Sequence, residues 1–135
     1  LEFRRVLFRS CFSAPLAKLL EGADRGTVYV RVDYTDKSGR VYHNNYCLDK
    51  QKNMNYPKVD LQVEVRSIEG GYEVTVSADK FARAVCLSVA DNESVYSDNY
   101  FDVQPKSSVQ VQVRTRLSAE AFNASLRLTC LNNEF

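Results

Sequence analysis

The sequence is poor in the residues that usually build metal centres and sugar-stacking surfaces. Its 135 residues include no tryptophan, one histidine (His43) and one methionine. A single histidine, with no closely spaced pair of cysteines, provides no ligand spacing typical of a zinc site. The absence of tryptophan removes the largest aromatic face available for stacking. We therefore expect no metal site and no bound cofactor.

Long apolar runs and a charge excess are also absent. No segment approaches the roughly 18 consecutive apolar residues that a membrane-spanning helix requires. The formal net charge is only +1, so neither nucleic acid nor an anionic membrane is an expected partner. Hydrophobic residues make up 44% and charged residues 26% of the chain, which is typical of a folded globular protein.

The four cysteines, Cys11, Cys47, Cys86 and Cys130, are far apart in the sequence. In the strand pattern described below, Cys86 falls on the polar side and Cys130 on the apolar side. Their Cβ atoms would point to opposite faces, which disfavours a disulfide between them. We expect reduced cysteines, and the redox compartment stays open.

Residues 1–10, LEFRRVLFRS, resemble one reading frame of a common short-read sequencing adapter, which predicts a natural sequence beginning near Cys11. A signal peptide is the competing interpretation, but Arg9 interrupts the apolar stretch that such a peptide needs. The three arginines and one glutamate of this segment contribute +2 to the net charge, which leaves −1 for the remainder.

Residues 15–22 could form one helical turn or a loop, and we assign them to a loop. A β-hairpin is predicted between residues 27 and 48. Residues 36–39 form the predicted turn, and residues 41–48 the return strand. The first strand has one apolar row, Val28, Val30, Val32 and Tyr34, as in a half-buried strand. A lone hairpin is at best marginally stable in water. We therefore assign residues 11–50 to the end of a truncated sandwich domain and residues 51–57 to a linker.

Six short strands with alternating apolar residues are predicted in residues 58–135. The loop Ser67–Gly71 predicts a hairpin in which Val65 faces Tyr72 and Val63 faces Val74. Further strands are centred on Val85 to Val89, SDNYFDV, Val109 to Val113, and Leu126 to Cys130. Several short strands without a long helical pattern favour two packed sheets. The expected fold class is all-β, an immunoglobulin-like β-sandwich preceded by a β-hairpin from a truncated second β-sandwich domain.

The most specific sequence feature is Ser97-Asp98-Asn99-Tyr100-Phe101-Asp102. Asp98 and Asn99 favour a turn, and an extended chain would send Tyr100 and Phe101 to opposite faces. With the preceding Ala82-x-x-Val85-x-Leu87 strand and the following Pro105, the segment resembles the "SDNYFDL-x-P" segment of family 2 glycoside hydrolases of the β-mannosidase type. There it belongs to the C-terminal immunoglobulin-like domain. The G-x-V-x-x-x-N-Y pattern from Gly39 to Tyr46 is similar to the hairpin that closes the preceding domain.

The resemblance implies a non-catalytic, structural fragment of an enzyme that hydrolyses terminal β-D-mannosyl residues by a retaining mechanism. The catalytic glutamates of that family lie in an upstream barrel without a counterpart here, so no catalytic, cofactor-binding or metal-binding residue is assigned. The implied partners are the upstream domains of the parent enzyme, for which a periplasmic or extracellular bacterial location is expected. The alternative is an independent immunoglobulin-like binding or carbohydrate-binding module with no enzyme attached.

Three sets of residues are candidates for a catalytic, binding or modification role. Glu64 and Glu73 would face each other across the first hairpin of the sandwich, and a retaining glycosidase needs two carboxyl groups about 5 Å apart. A solvated polar face is the ordinary explanation for both. Six aromatics could contact carbohydrate: Tyr29, Tyr42, Tyr46, Tyr96, Tyr100 and Phe101. The sequences Asn92–Ser94 and Asn123–Ser125 fit the N-glycosylation motif, which matters only in a eukaryotic secretory route.

Overall fold

The computed structural model describes residues 12–134, and the chain divides into two compact units between Asn55 and Tyr56. The expectations for residues 1–10 and for Cys11 lie outside the described residues. None of the helices described is long and apolar enough to cross a membrane.

The first unit begins with a short helix, α1 (Leu16–Leu20), where a loop was expected. The loop prediction was wrong because these five residues are all good helix formers, and only the flanking Gly22 favoured a turn. The helix is one turn long, and its end is marked by Glu21 in the left-handed conformation with φ 49°.

The predicted hairpin is present as β1 (Tyr29–Thr35) and β2 (Val41–Cys47). Asp36 organises its turn, because its Oδ1 accepts hydrogen bonds from the Ser38 amide at 2.8 Å and the Arg40 amide at 3.0 Å. The Ser38 hydroxyl also donates to Asp36 at 2.6 Å. These bonds, above all those from the Ser38 side chain and the Arg40 amide, lower the pKa of Asp36. A single carboxylate therefore fixes the turn.

One face of the hairpin is apolar and open to solvent. The antiparallel register puts six uncharged residues on this face: Val30, Val32, Tyr34, Tyr42, Asn44 and Tyr46. Val32 is 60% and Tyr34 63% exposed, so the row is less buried than the expected half-buried strand. The cause is that the sheet described in this unit has only two strands and no second layer to cover them.

The second unit is a β-sandwich. One antiparallel sheet has the strand order β3-β4-β8-β6 and the other has the order β7-β5-β9. The strands are β3 (Leu61–Ile68), β4 (Gly71–Ala78), β5 (Ala82–Ser88), β6 (Val95–Tyr96), β7 (Phe101–Val103), β8 (Ser107–Arg114) and β9 (Arg127–Thr129). The inner faces of both sheets supply one core, which includes Val74, Val76, Val111 and Val113 opposite Val85, Leu87, Phe101 and Val103. The all-β sandwich fold class is confirmed.

Two short helices, α2 (Ala119–Ser125) and α3 (Leu131–Glu134), flank β9. The Ser118 hydroxyl caps α2 by accepting a hydrogen bond from the Ala121 amide at 3.2 Å. Phe122 is fully buried and its ring stacks on that of Tyr72 at 4.1 Å between centroids. Because the two helices occupy the residues on either side of it, the expected sixth strand is only three residues long.

The first hairpin of the sandwich has a register different from the expected one. Val65 faces Val74 and Val63 faces Val76, a shift of two residues. The cause is a tighter turn, because Ile68 pairs with Gly71 and only Glu69 and Gly70 remain between the strands. An even shift leaves each side chain on its expected face, so the alternating pattern could not reveal it.

The two units should differ in amide hydrogen exchange. We expect slow exchange in residues 61–76 and 109–113, which belong to the four-stranded sheet that packs on the core, and fast exchange throughout residues 28–48. Exchange measured by mass spectrometry or NMR on the full chain checks this. Equal protection in both regions would show that the hairpin belongs to the same cooperative core as the sandwich.

Candidate functional site

The paired carboxylates considered from the sequence do not face each other. Glu64 lies opposite Thr75, whereas Glu73 lies opposite Arg66, whose Nη2 is 2.8 Å from Glu73 Oε1. The expected facing of Glu64 and Glu73 is therefore wrong, because the register shift places an opposite charge beside Glu73. Opposite charges directly across a sheet are favourable and like charges are not.

The six candidate aromatics are dispersed. Tyr42 and Tyr46 lie on the exposed hairpin face, whereas Tyr29 lies on the other face. In the sandwich, Tyr96 packs against the core and Phe101 lies within it, while Tyr100 is exposed. The hairpin face also carries Tyr34, with its ring centroid 6.2 Å from that of Tyr42. The structure thus brings together only tyrosines of the first unit.

The remaining candidates are scattered too. Asn92 is exposed between β5 and β6, and Asn123 is exposed on α2. Among the described residues, Cys47, Cys86 and Cys130 form no disulfide, and burial raises the pKa of Cys130. Between residues 12 and 134, no group of three histidine, cysteine or acidic side chains could hold a metal ion.

The SDNYFD segment is held in place by side-chain hydrogen bonds to the backbone of β5, and its first anchor is Asn99. The Asn99 Oδ1 accepts a hydrogen bond from the Leu87 amide at 2.8 Å, and its Nδ2 donates to the Leu87 carbonyl at 3.0 Å. Phe101 pairs with Val85 in the antiparallel β5–β7 register, so residue 99 lies opposite Leu87. The Asn99 side chain therefore takes the place of a strand backbone at this edge of β5.

The second anchor is Asp102, which holds a bulge in β5. The register between β5 and β7 shifts between Ala82 and Val85, and Ala84 has a left-handed φ of 50°. Asp102 Oδ1 accepts a hydrogen bond from the Ala84 amide at 3.0 Å, and Oδ2 forms an ion pair with the Arg83 guanidinium. The Asp102 carboxylate therefore binds both a backbone amide and a guanidinium group of the bulge.

Asn132, at the start of α3, supports the same bulge. Its Oδ1 accepts a hydrogen bond from the Arg83 amide at 2.8 Å, and its Nδ2 donates to the carbonyls of Pro57 and Phe81, both at 2.9 Å. Asn132 is only 2% exposed. The sequence did not reveal this residue, because its partners are backbone groups distant in the chain and follow no periodic pattern. A pair of asparagines after the last strand was the only available signal.

Tyr100 projects from the segment that Asn99 and Asp102 anchor. It is 71% exposed, whereas Phe101 is 8% exposed, so the expected difference in burial is present. Its cause is not the alternation of an extended strand, since Tyr100 has a left-handed φ of 59° and β7 begins only at Phe101. Interaction with the neighbouring Cys86 side chain raises the pKa of Tyr100.

The two neighbouring aromatics should respond differently to truncation. Phe101→Ala should lower the free energy of unfolding by about 3–5 kcal/mol, because it opens a cavity in the core. Tyr100→Ala is the matched control and should have little effect, since most of its ring is in solvent. Urea unfolding measures both. Small and similar losses at the two positions would contradict the described anchoring of this segment.

Comparison with known families agrees with this architecture. The model of the Ig-fold domain of mannosidases, Ig_mannosidase, matches residues 55–134. No curated protein matches the chain. The matched region contains both sheets of the sandwich, the SDNYFD segment and the asparagine that supports the bulge. This chain therefore belongs to the family of mannosidase Ig-fold domains.

Proposed function

We propose that the chain is a non-catalytic C-terminal part of a β-mannosidase-like enzyme of glycoside hydrolase family 2. In this proposal, residues 58–135 form an accessory domain that packs against upstream domains. The parent enzyme would hydrolyse terminal β-D-mannosyl residues with retention, and its bacterial location would be periplasmic or extracellular. The observation that carries the proposal is Tyr100, which is held exposed within a tightly anchored segment of a mannosidase-type Ig-fold domain.

The conformation of Tyr100 favours a contact role. A left-handed backbone costs a non-glycine residue roughly 1–2 kcal/mol, and an exposed ring adds little core packing in return. Asn99 and Asp102 fix the chain on both sides of it. A rigidly held, exposed tyrosine is typical of the buried centre of protein interfaces. Tyr100 is thus the residue on which we expect an upstream domain to pack.

The hairpin fits the same proposal. We infer that residues 11–50 are the end of a preceding sandwich domain and residues 51–57 its connection to the last domain. The open hairpin face carries valines and tyrosines without any charge, as the inner face of a sandwich sheet does. In the parent enzyme, a facing sheet of that domain would cover it.

A second candidate is an independent carbohydrate-binding module. The exposed Tyr34, Tyr42 and Tyr46 on one face of the hairpin favour it, because aromatic faces stack on sugar rings. The genomic sequence upstream of residue 11 separates the two candidates. A (β/α)8 barrel with paired glutamates supports the accessory domain, whereas a reading frame without a barrel supports the independent module.

The full chain should not hydrolyse 4-nitrophenyl β-D-mannoside. The reason is that Glu73 is paired with Arg66 and does not face Glu64 across the sheet. Release of nitrophenolate measured by absorbance checks this, with Glu64→Gln and Glu73→Gln as matched variants. Turnover by the full chain that either substitution abolishes would contradict the proposal.

A further inference from the structure

Two adjoining cavities lie beside β6, at the edge of the four-stranded sheet. Their volumes are about 300 and 170 Å³, and both are lined by Val95 and Arg114. The larger cavity is also lined by Glu93 and Arg116. Its size is at the lower end of the range for small-molecule sites, which is roughly 300–1,000 Å³.

The wall of the larger cavity is fixed by Asp91. Its Oδ1 accepts hydrogen bonds from the amides of Glu93 at 3.2 Å and Ser94 at 2.8 Å. Its Oδ2 accepts one from the Thr115 hydroxyl at 3.2 Å, and the Thr115 amide donates to the Gly70 carbonyl at 3.3 Å. Both carboxylate oxygens therefore accept hydrogen bonds, which lower the pKa of Asp91, so this residue shapes the wall and keeps its negative charge.

Two arginines remain available to a ligand. Arg114, the last residue of β8, and Arg116 both line the larger cavity. Both are exposed, and neither guanidinium has an ion pair or hydrogen bond with any residue between 12 and 134. In contrast, Arg31, Arg66 and Arg83 each pair with a carboxylate.

The lining has no net charge, because Arg114 and Arg116 are balanced by Asp91 and Glu93, but its free hydrogen-bond donors favour an anionic group. Two unpaired guanidinium groups are opposed by one carboxylate without a partner in the described chain, that of Glu93. Guanidinium groups match the geometry of carboxylate and phosphate oxygens, to which they donate paired hydrogen bonds. The exposed Val95 side chain adds an apolar surface against which a small ring can pack.

We infer that this cavity binds a small anionic ligand of about monosaccharide size, with its carboxylate or phosphate group held by Arg114 and Arg116. The inference does not depend on the proposed parent enzyme, because it rests on the second unit alone.

Amide NMR titration of the full chain tests the inference. The probes are D-glucuronate and mannose 6-phosphate, with neutral D-mannose and inorganic phosphate as controls. Saturable shifts in residues 91–97 and 112–116 with either charged sugar support it, and the probe that binds identifies the anionic group. It is overturned if neither charged sugar shifts these amides or if mannose binds equally. Equal affinity for inorganic phosphate alone would also overturn the monosaccharide-sized ligand.

Charge variants make the test sharper. Arg114→Gln and Arg116→Gln should each weaken binding about tenfold, the loss expected for one charge-assisted hydrogen-bond partner. Glu93→Gln should strengthen it, because the competing carboxylate is removed. The matched control is Arg66→Gln on the opposite edge of the same sheet, which should leave binding unchanged. Unchanged binding in both Arg114 and Arg116 variants, with intact amide spectra, would contradict the inferred site.

Discussion

Side chains pair with the backbone of β5 at points where a regular strand ladder is interrupted. Asn99 bonds the amide and carbonyl of Leu87, Asp102 bonds the amide of Ala84, and Asn132 bonds the amide of Arg83. Buried backbone groups must find partners, and each one left unpaired costs about 1–3 kcal/mol. The bulge in β5, and with it the edge of the three-stranded sheet, therefore depends on these polar side chains.

The same contacts join distant parts of the chain. The Ser97 hydroxyl accepts a hydrogen bond from the Gln112 amide of β8 at 2.9 Å, whereas Asn99, two residues later, bonds β5 of the other sheet. At the C-terminal end, the Asn133 side chain bonds both the amide and the carbonyl of Val59 at 3.1 and 3.0 Å. SDNYFD is thus the corner at which the chain passes between the sheets, and its polar residues explain why Tyr100 can be held in solvent.

Alternation of apolar residues was sufficient to predict the fold class, the hairpin and most strands, because burial on one face imposes a period of two. It could not determine the register of β3 and β4, since a shift of two residues preserves every face. The opposite charges of Arg66 and Glu73 were the available signal for this register, because oppositely charged residues directly across a strand pair stabilise each other. The short helix that buries Phe122 was missed because seven residues give little periodic signal.

The site was less predictable than the fold. The SDNYFD resemblance indicated the mannosidase type, and the family match over residues 55–134 agrees with that level of assignment. The left-handed conformation of Tyr100 and the role of Asn132 were not predictable, because both depend on tertiary hydrogen bonds to backbone groups. Side chains that pair with backbone leave no pattern of complementary residues in a single sequence.

Hydrogen exchange at three β5 amides tests the central claim most directly. The amides of Arg83, Ala84 and Leu87 donate to side-chain oxygens at 2.8, 3.0 and 2.8 Å. They should exchange as slowly as the strand amides of the core, and Asp102→Ala should speed exchange at Ala84 more than at Leu87. Exchange of all three at the rate of exposed loop amides, with the core strands still protected, would contradict the claim that side chains hold β5 in place.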